Sequence, residues 1–336
     1  MLNLYSIDKS NYRKVILDFP KQFKIGIERA AHIFFDKFSP SNVVICGMGG
    51  SGLAADLLEM IKIIKIPVFI HKNYGLPLET NKNSLIICIS YSGNTEETIS
   101  SFKEAIRKKF TLTTIASGGK ILKLAEKSKI PFVKIPTGIP PRCSIGYNFS
   151  ALLKILSNIN LIDKKQIDLL LKLEKILISQ GLENQGKNIA EKLIAKIPLI
   201  YSSEKNWALA RIWKIKINEN SKIPSFFNIF PELNHNEMIS LGEYKIKKIR
   251  EIFKIIILED KNDDKRILKR MKVSSKIFKE KGIETIFIEI KGGNIYEKIF
   301  SNLLLSDWVS YYLALFGKTD PAPVKLVEEF KKKLKK

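Results

Sequence analysis

SLIICISYSGNTEETISSFKEAIRKK, residues 84–109, changes character twice. An apolar run rich in isoleucine gives way at Ser90–Thr95 to small or hydroxylated residues, and then to a helix-like segment that opens on Glu96 and Glu97. Ser, Gly, Asn and Thr suit turns and helix N-caps, and carboxylates suit a first helical turn, so the stretch reads as strand, turn, helix. The same alternation continues on both sides. VVICG (43–47) leads through a glycine turn into SGLAADLLEMIKII (51–64), and PVFIH (67–71) follows; LTTIAS (112–117), KILKLAEKS (120–128) and PFVKIP (131–136) come after, and GYNFSALLKILSNI (146–159) closes the set. Short β-rich runs between helical patterns of about ten or more residues predict βαβ units around a parallel sheet, an α/β doubly wound sandwich.

The second half repeats the alternation less regularly. IPLIYSS (197–203), FKIIILED (253–260) and TIFIEIKG (285–292) read as strands. NWALARIWKIKINENSK (206–222), RILKRMKVSSKIFKEKG (266–282) and a long segment from Asn294 to Gly317 read as helices. TDPAP breaks the last of these, and VKLVEEFKKKLKK (324–336) is a lysine-rich amphipathic helix. Two α/β domains are expected, 1–158 and 159–336.

Composition narrows the function. A hydrophobic share of 45% fills real cores, so a disordered chain is excluded. The net charge of +23 raises nucleic-acid binding, but the lysines are scattered over nearly every predicted helix rather than clustered. They read as a solvated surface that concentrates anionic substrates, with no nucleic acid as partner. Cys46, Cys88 and Cys143 lack CxxC spacing, and the first two lie in strand-like runs, as buried thiols of a reducing compartment do. His32, His71 and His235 form no metal-binding pattern. No membrane span or secretory signal is read, so a cytoplasmic protein is expected.

Both turns of the first domain fall at the carboxyl ends of strands, where open α/β sheets bind ligands. GMGGSG (47–52) fits GxGxxG superficially, but the next strand ends in His71 and Lys72 where a dinucleotide site wants an acid. If it faces SYSGNT, the pair makes an anion cradle. Gly49, Gly50 and Ser51 from one turn, with Ser90, Ser92 and Thr95 from the other, offer hydroxyls and helix-start amides to a phosphate ester.

A glycine turn followed some 40 residues later by S-x-SGxT resembles the SIS (sugar isomerase) domains, which bind phosphosugars. With IPPR (139–142), NENSK (218–222), PELNHNE (231–237), DP (320–321) and a terminal FKKKL (330–334), the chain resembles the bifunctional phosphoglucose/phosphomannose isomerase family. The resemblance implies two SIS-type domains of flavodoxin-like form, and interconversion of glucose 6-phosphate with fructose 6-phosphate, extending to mannose 6-phosphate. The route is proton transfer through a cis-enediol, which needs no metal or redox cofactor. It assigns Glu219 as the base, Arg142 to the enediolate oxygen, and His235 to ring opening, reaching the other subunit's site in a homodimer. It also assigns a C-terminal site lysine, Lys331 ahead of Lys325. The resemblance also sets Ala322 where a threonine is common in relatives, and Val324 where some have one.

Locally, each of these residues has a plainer reading. Glu219 could be a helix-end carboxylate paired with Lys216 or Lys222, His235 a loop residue, Arg142 a loop terminator and Lys331 part of a solvated face. Glu232 and Glu237 read as loop-ordering or histidine-orienting. A non-catalytic phosphosugar-binding regulator would need the serine cradle alone.

Overall fold

The computed structural model describes residues 4–334 apart from 37 and 244. The chain forms two compact units, Leu17–Ser179, and Gln180–Lys336 together with Met1–Ile16. The expected division at 158/159 lies between helices Ile145–Asn158 and Lys164–Ser179, and the latter stays with the first sheet.

In Leu17–Ser179, five parallel strands run in the order β2-β1-β3-β4-β5: β1 Asn42–Gly47, β2 Val68–His71, β3 Ser84–Ile89, β4 Thr111–Ala116 and β5 Phe132–Lys134. β1 and β3 are buried along their whole length, which explains their continuous apolar runs. Val44, Cys46, Ile86, Cys88 and Leu112 share one face and pack against Ile99, Phe102, Ile121 and Leu122 of the helices Glu96–Arg107 and Gly119–Lys127. Right-handed crossovers in this strand order put the helix Gly49–Ile61 on the opposite face. It packs there with Ile145–Asn158.

The other unit holds a four-stranded parallel sheet in the order β7-β6-β8-β9: β6 Ile197–Ser203, β7 Phe226–Phe230, β8 Phe253–Glu259 and β9 Thr285–Glu289. Leu199, Tyr201, Ile255 and Ile257 pack with Met271 and Phe278 of the helix Lys265–Glu280. The helix Ile295–Phe316 starts where Asn294 caps the Tyr296 and Glu297 amides. Among the described residues it is the one helix long and apolar enough to cross a membrane, yet 94% of its most apolar window is buried, so it is a core helix.

The beginning of the chain belongs to this unit. Arg13 forms a two-pronged pair with Glu183 at 2.8 and 2.7 Å, and Glu183 also accepts from Tyr312 Oη at 2.7 Å. Asp8 accepts from the amides of Tyr12 and Arg13 and from the Tyr311 hydroxyl.

Candidate functional site

β1 and β3 lie side by side with Gly47 opposite Ile89, and their connections leave in opposite directions, toward β2 and β4. That reversal opens a crevice beyond the carboxyl ends of the strands. The helices Gly49–Ile61 and Glu96–Arg107 begin there, and neither has a side-chain cap at its N-terminus. Thr95 occupies the capping position of the second helix, but its Oγ1 accepts from Ser90 Oγ at 2.9 Å. Ser51 Oγ accepts the Tyr91 amide hydrogen at 2.9 Å and so joins the two turns. Ser92 is exposed at the tip of its turn, where Oγ accepts from the Asn94 amide at 3.2 Å. A turn this tight depends on Gly93, at φ 66°: a Cβ there would stand 1.8 Å from the Gly118 carbonyl oxygen.

Gly49, Gly50, Ser51, Ser90, Ser92 and Thr95 are thus carried on two bonded turns. Their hydroxyls, with the positive end of each helix dipole, suit a phosphoryl group. Where a ribose-binding acid would stand after β2, Lys72 instead pairs with the fully buried Asp56 of the helix Gly49–Ile61.

Arg142 borders the same crevice. It is 1% exposed, in the turn Pro141–Cys143, whose backbone packs directly on Gly50. Side chains from two other elements help to hold this loop. Tyr91 Oη accepts the Ile139 amide hydrogen at 3.1 Å, and buried Gln22 donates to the Cys143 carbonyl at 2.8 Å. Burial raises the Tyr91 phenol above its ordinary value, so the hydroxyl stays protonated.

Glu219, His235 and Lys331 lie in the other unit. Glu219 sits on a π-helical turn, Ile217–Ser221, continuing the helix Trp207–Lys216. Such turns are rare and concentrate at functional sites. Its neighbours are anchored: Asn220 accepts from Tyr12 Oη at 2.9 Å and donates to Ser310 Oγ at 2.9 Å, and Ser221 Oγ donates to the Ser310 carbonyl at 2.8 Å. Beneath them Lys216 and Asp307 form a buried ion pair. Glu219 is half-buried on the wall of a cavity of about 1000 Å³, shared with Asp320 and four lysines, Lys9, Lys222, Lys318 and Lys325.

Lys331 is exposed on the helix Lys325–Lys333 and does not line this cavity, whereas Lys325 does. His235 is exposed on the turn Glu232–His235 and is not a lining residue either. Glu237 accepts from Tyr201 Oη at 2.6 Å and from Asn228 Nδ2 at 2.5 Å, so it orders this loop.

Against known proteins, residues 182–334 match the bacterial phospho-glucose isomerase C-terminal SIS domain. The chain is 36% identical over 299 residues to the bifunctional phosphoglucose/phosphomannose isomerase of Aquifex aeolicus, covering 88% of this chain and 90% of the relative. The chain belongs to the bifunctional phosphoglucose/phosphomannose isomerase family. The enzyme of the same name from Caldicellulosiruptor bescii is 37% identical over 327 residues, covering 94% and 95% of the two chains. In fold, the chain is similar to the C-terminal domain of glucosamine-fructose-6-phosphate aminotransferase from Francisella tularensis, with a TM-score of 0.67 at 17% identity, covering 93% and 97%.

For a member of this isomerase family, the local sequence leaves several supporting residues unmarked. Gln22 and Tyr91 hold the Arg142 loop, and Tyr12 and Ser310 hold the Glu219 turn. Only the polar cluster NENSK at the end of an apolar helix signals the latter.

Proposed function

We propose that this protein interconverts glucose 6-phosphate and fructose 6-phosphate, and also accepts mannose 6-phosphate, through a cis-enediol. Glu219 carries the reading, as a half-buried carboxylate on an anchored turn in a cavity with room for a hexose phosphate. The phosphate is held by the hydroxyls of Ser51, Ser90, Ser92 and Thr95 and the amides at Gly49 and Gly50. Each hydrogen bond to the dianion contributes about 1.5–3 kcal/mol.

His235 takes the O1 proton and returns one to O5 as the pyranose opens. The Glu219 carboxylate then removes the proton from C2, the C2 electron pair forms the C1–C2 double bond, and negative charge collects on O1. Arg142 offsets that charge. Protonation at C1 by Glu219, with the O2 proton passing to O1 as the C2–O2 double bond forms, completes the ketose. No step calls for a metal or a redox cofactor. Lys331 is assigned to the substrate's oxygens.

His235 is exposed on its turn, open to a second copy of the chain, and the family resemblance gives it to the partner's site in a homodimer. Cys46, Cys88 and Cys143 are buried thiols, which supports a cytoplasmic setting.

Purified protein given fructose 6-phosphate with EDTA is expected to form glucose 6-phosphate. Glu219→Gln is expected to abolish turnover while retaining phosphosugar binding; turnover equal to wild type would remove the base. Mixing Glu219→Gln with His235→Ala protein is expected to restore activity through hybrid dimers, and a mixture as inactive as its components would remove the shared site.

A further inference from the structure

The π-helical turn that carries Glu219 ends at Lys222, whose backbone is left-handed at φ 59°. Left-handed lysines also follow other helices, at Lys62, Lys109 and Lys129, so conformation alone does not single this one out. What does is the set of acceptors around its ammonium. Lys222 Nζ donates to the Glu219 carbonyl at 2.5 Å, to the Asn220 carbonyl at 3.3 Å and to the Pro321 carbonyl at 2.9 Å. Two of these belong to the last helical turn, where carbonyls have no intrahelical partner and the dipole favours a cation. The third lies 99 residues further along, in the loop that precedes the helix Lys325–Lys333.

Asn220 and Ser221 fix one side of the turn to the helix Ile295–Phe316 through Ser310. Lys222 fixes the other side to the Pro321 loop. That loop runs through Pro323 and Val324, which form part of the wall of the cavity holding Glu219. An ammonium has three donors on a compact head and can serve several converging carbonyls; a planar guanidinium cannot reproduce that geometry.

We propose that Lys222 is a positioning residue for the isomerase reaction. It clamps the Glu219 turn to the Pro321 loop and so sets the distance between the base and the wall against which the sugar lies. This rests on the assignment of Glu219 as base. Lys222→Met keeps an unbranched stem, one atom shorter, and removes every donor. It is expected to lower kcat about 100-fold, the effect of roughly an ångström of misplacement, while KM for fructose 6-phosphate stays within about threefold. Lys222→Arg is expected to recover only part of the loss. In Lys222→Met, amide hydrogen exchange is expected to quicken together at 217–223 and 319–324.

A kcat within about twofold of wild type in folded Lys222→Met would overturn the proposal, and so would exchange unchanged at both segments. Should Lys222→Met not fold, Lys222→Gln is judged by the same two measurements. Wild-type protein inactive on fructose 6-phosphate would remove the assignment of Glu219, while hydrogen exchange would still report on the clamp.

Discussion

The backbone nitrogen of Arg142 stands 2.6 Å from the point that a Cβ on Gly50 would occupy, with Pro141 C at 2.7 Å. A buried arginine and the Gly50 turn therefore meet backbone to backbone, and nothing larger than hydrogen fits between them. Gly50→Ala must push the Pro141–Arg142 segment away, an overpacking that costs about 1–3 kcal/mol. Gly49 provides the control. Its φ of 51° strains any replacement, but nothing lies within 4 Å of its Cβ position. Gly50→Ala is expected to lose at least about tenfold in kcat/KM. Gly49→Ala is expected to lose stability by about 1 kcal/mol, as thermal unfolding would show, with a smaller effect on rate. The reverse ranking in rate would mean that contact between the turn and Arg142 has no bearing on the chemistry.

Tyr91 meets the Ser51 turn and the Arg142 loop through different atoms. Its backbone amide reaches Ser51, and its carbonyl accepts from Ser117 at 2.6 Å, while the hydroxyl alone holds Ile139. Tyr91→Phe leaves the backbone bonds in place and strands the Ile139 amide, at about 1–3 kcal/mol. The expected result is a kcat lowered about tenfold, with inhibition by inorganic phosphate unchanged. Weakening of phosphate inhibition in step with kcat would show that the hydroxyl supports the whole cradle.

Much of this arrangement is legible in the residues. The SYSGNT turn is readable because a continuous apolar run, a cluster of small residues and two glutamates each specify a local conformation. β7 escapes the same treatment. FFNIF is a short edge strand between Pro224 and Pro231, with Phe226 and Phe227 exposed, so neither alternation nor burial marks it. The placement of residues 1–16 is likewise silent, because it depends on Arg13 meeting Glu183 across 170 positions. NENSK shows that a polar cluster ends an apolar helix; that the turn is π-helical follows from tertiary anchors at Tyr12 and Ser310.

Asp260, just past β8, links stability to pH. Burial pushes its carboxyl upward, but hydrogen bonds from Lys298, the Asn262 amide and Lys205 outweigh that, and the net shift is downward. A carboxylate depressed in the folded state adds stability above the unfolded value of about 3.9, and that stability is lost as pH falls through the folded value. Lys298, at 2.6 Å, is the less exposed of its two lysines. Lys298→Met is expected to cost about 3 kcal/mol at pH 7. Because the substitution also raises the folded value, the variant has less left to lose in acid. The gap between wild type and variant, read from urea unfolding, is expected to narrow from pH 7 to about pH 3.5. A gap that stays constant would mean that the pair acts through packing alone.

Specificity between epimers is the last matter the cavity bears on. Of the two positions that the family resemblance sets against threonine, Val324 lines the cavity with Glu219, and Ala322 is not among its lining residues. Valine and threonine share a shape, so Val324→Thr adds a hydroxyl to that wall with little change in packing. A hydroxyl there can hydrogen-bond the C2 oxygen as the open-chain sugar turns its other face toward the base. A neutral hydrogen bond nets about 0.5–1.5 kcal/mol, which is about two- to tenfold in rate. Val324→Thr is therefore expected to raise kcat/KM for mannose 6-phosphate relative to glucose 6-phosphate by that factor. Ala322→Thr is expected to leave the ratio unchanged. If Ala322→Thr alone moves the ratio when both epimers are assayed side by side, the sugar C2 lies against a different part of the loop.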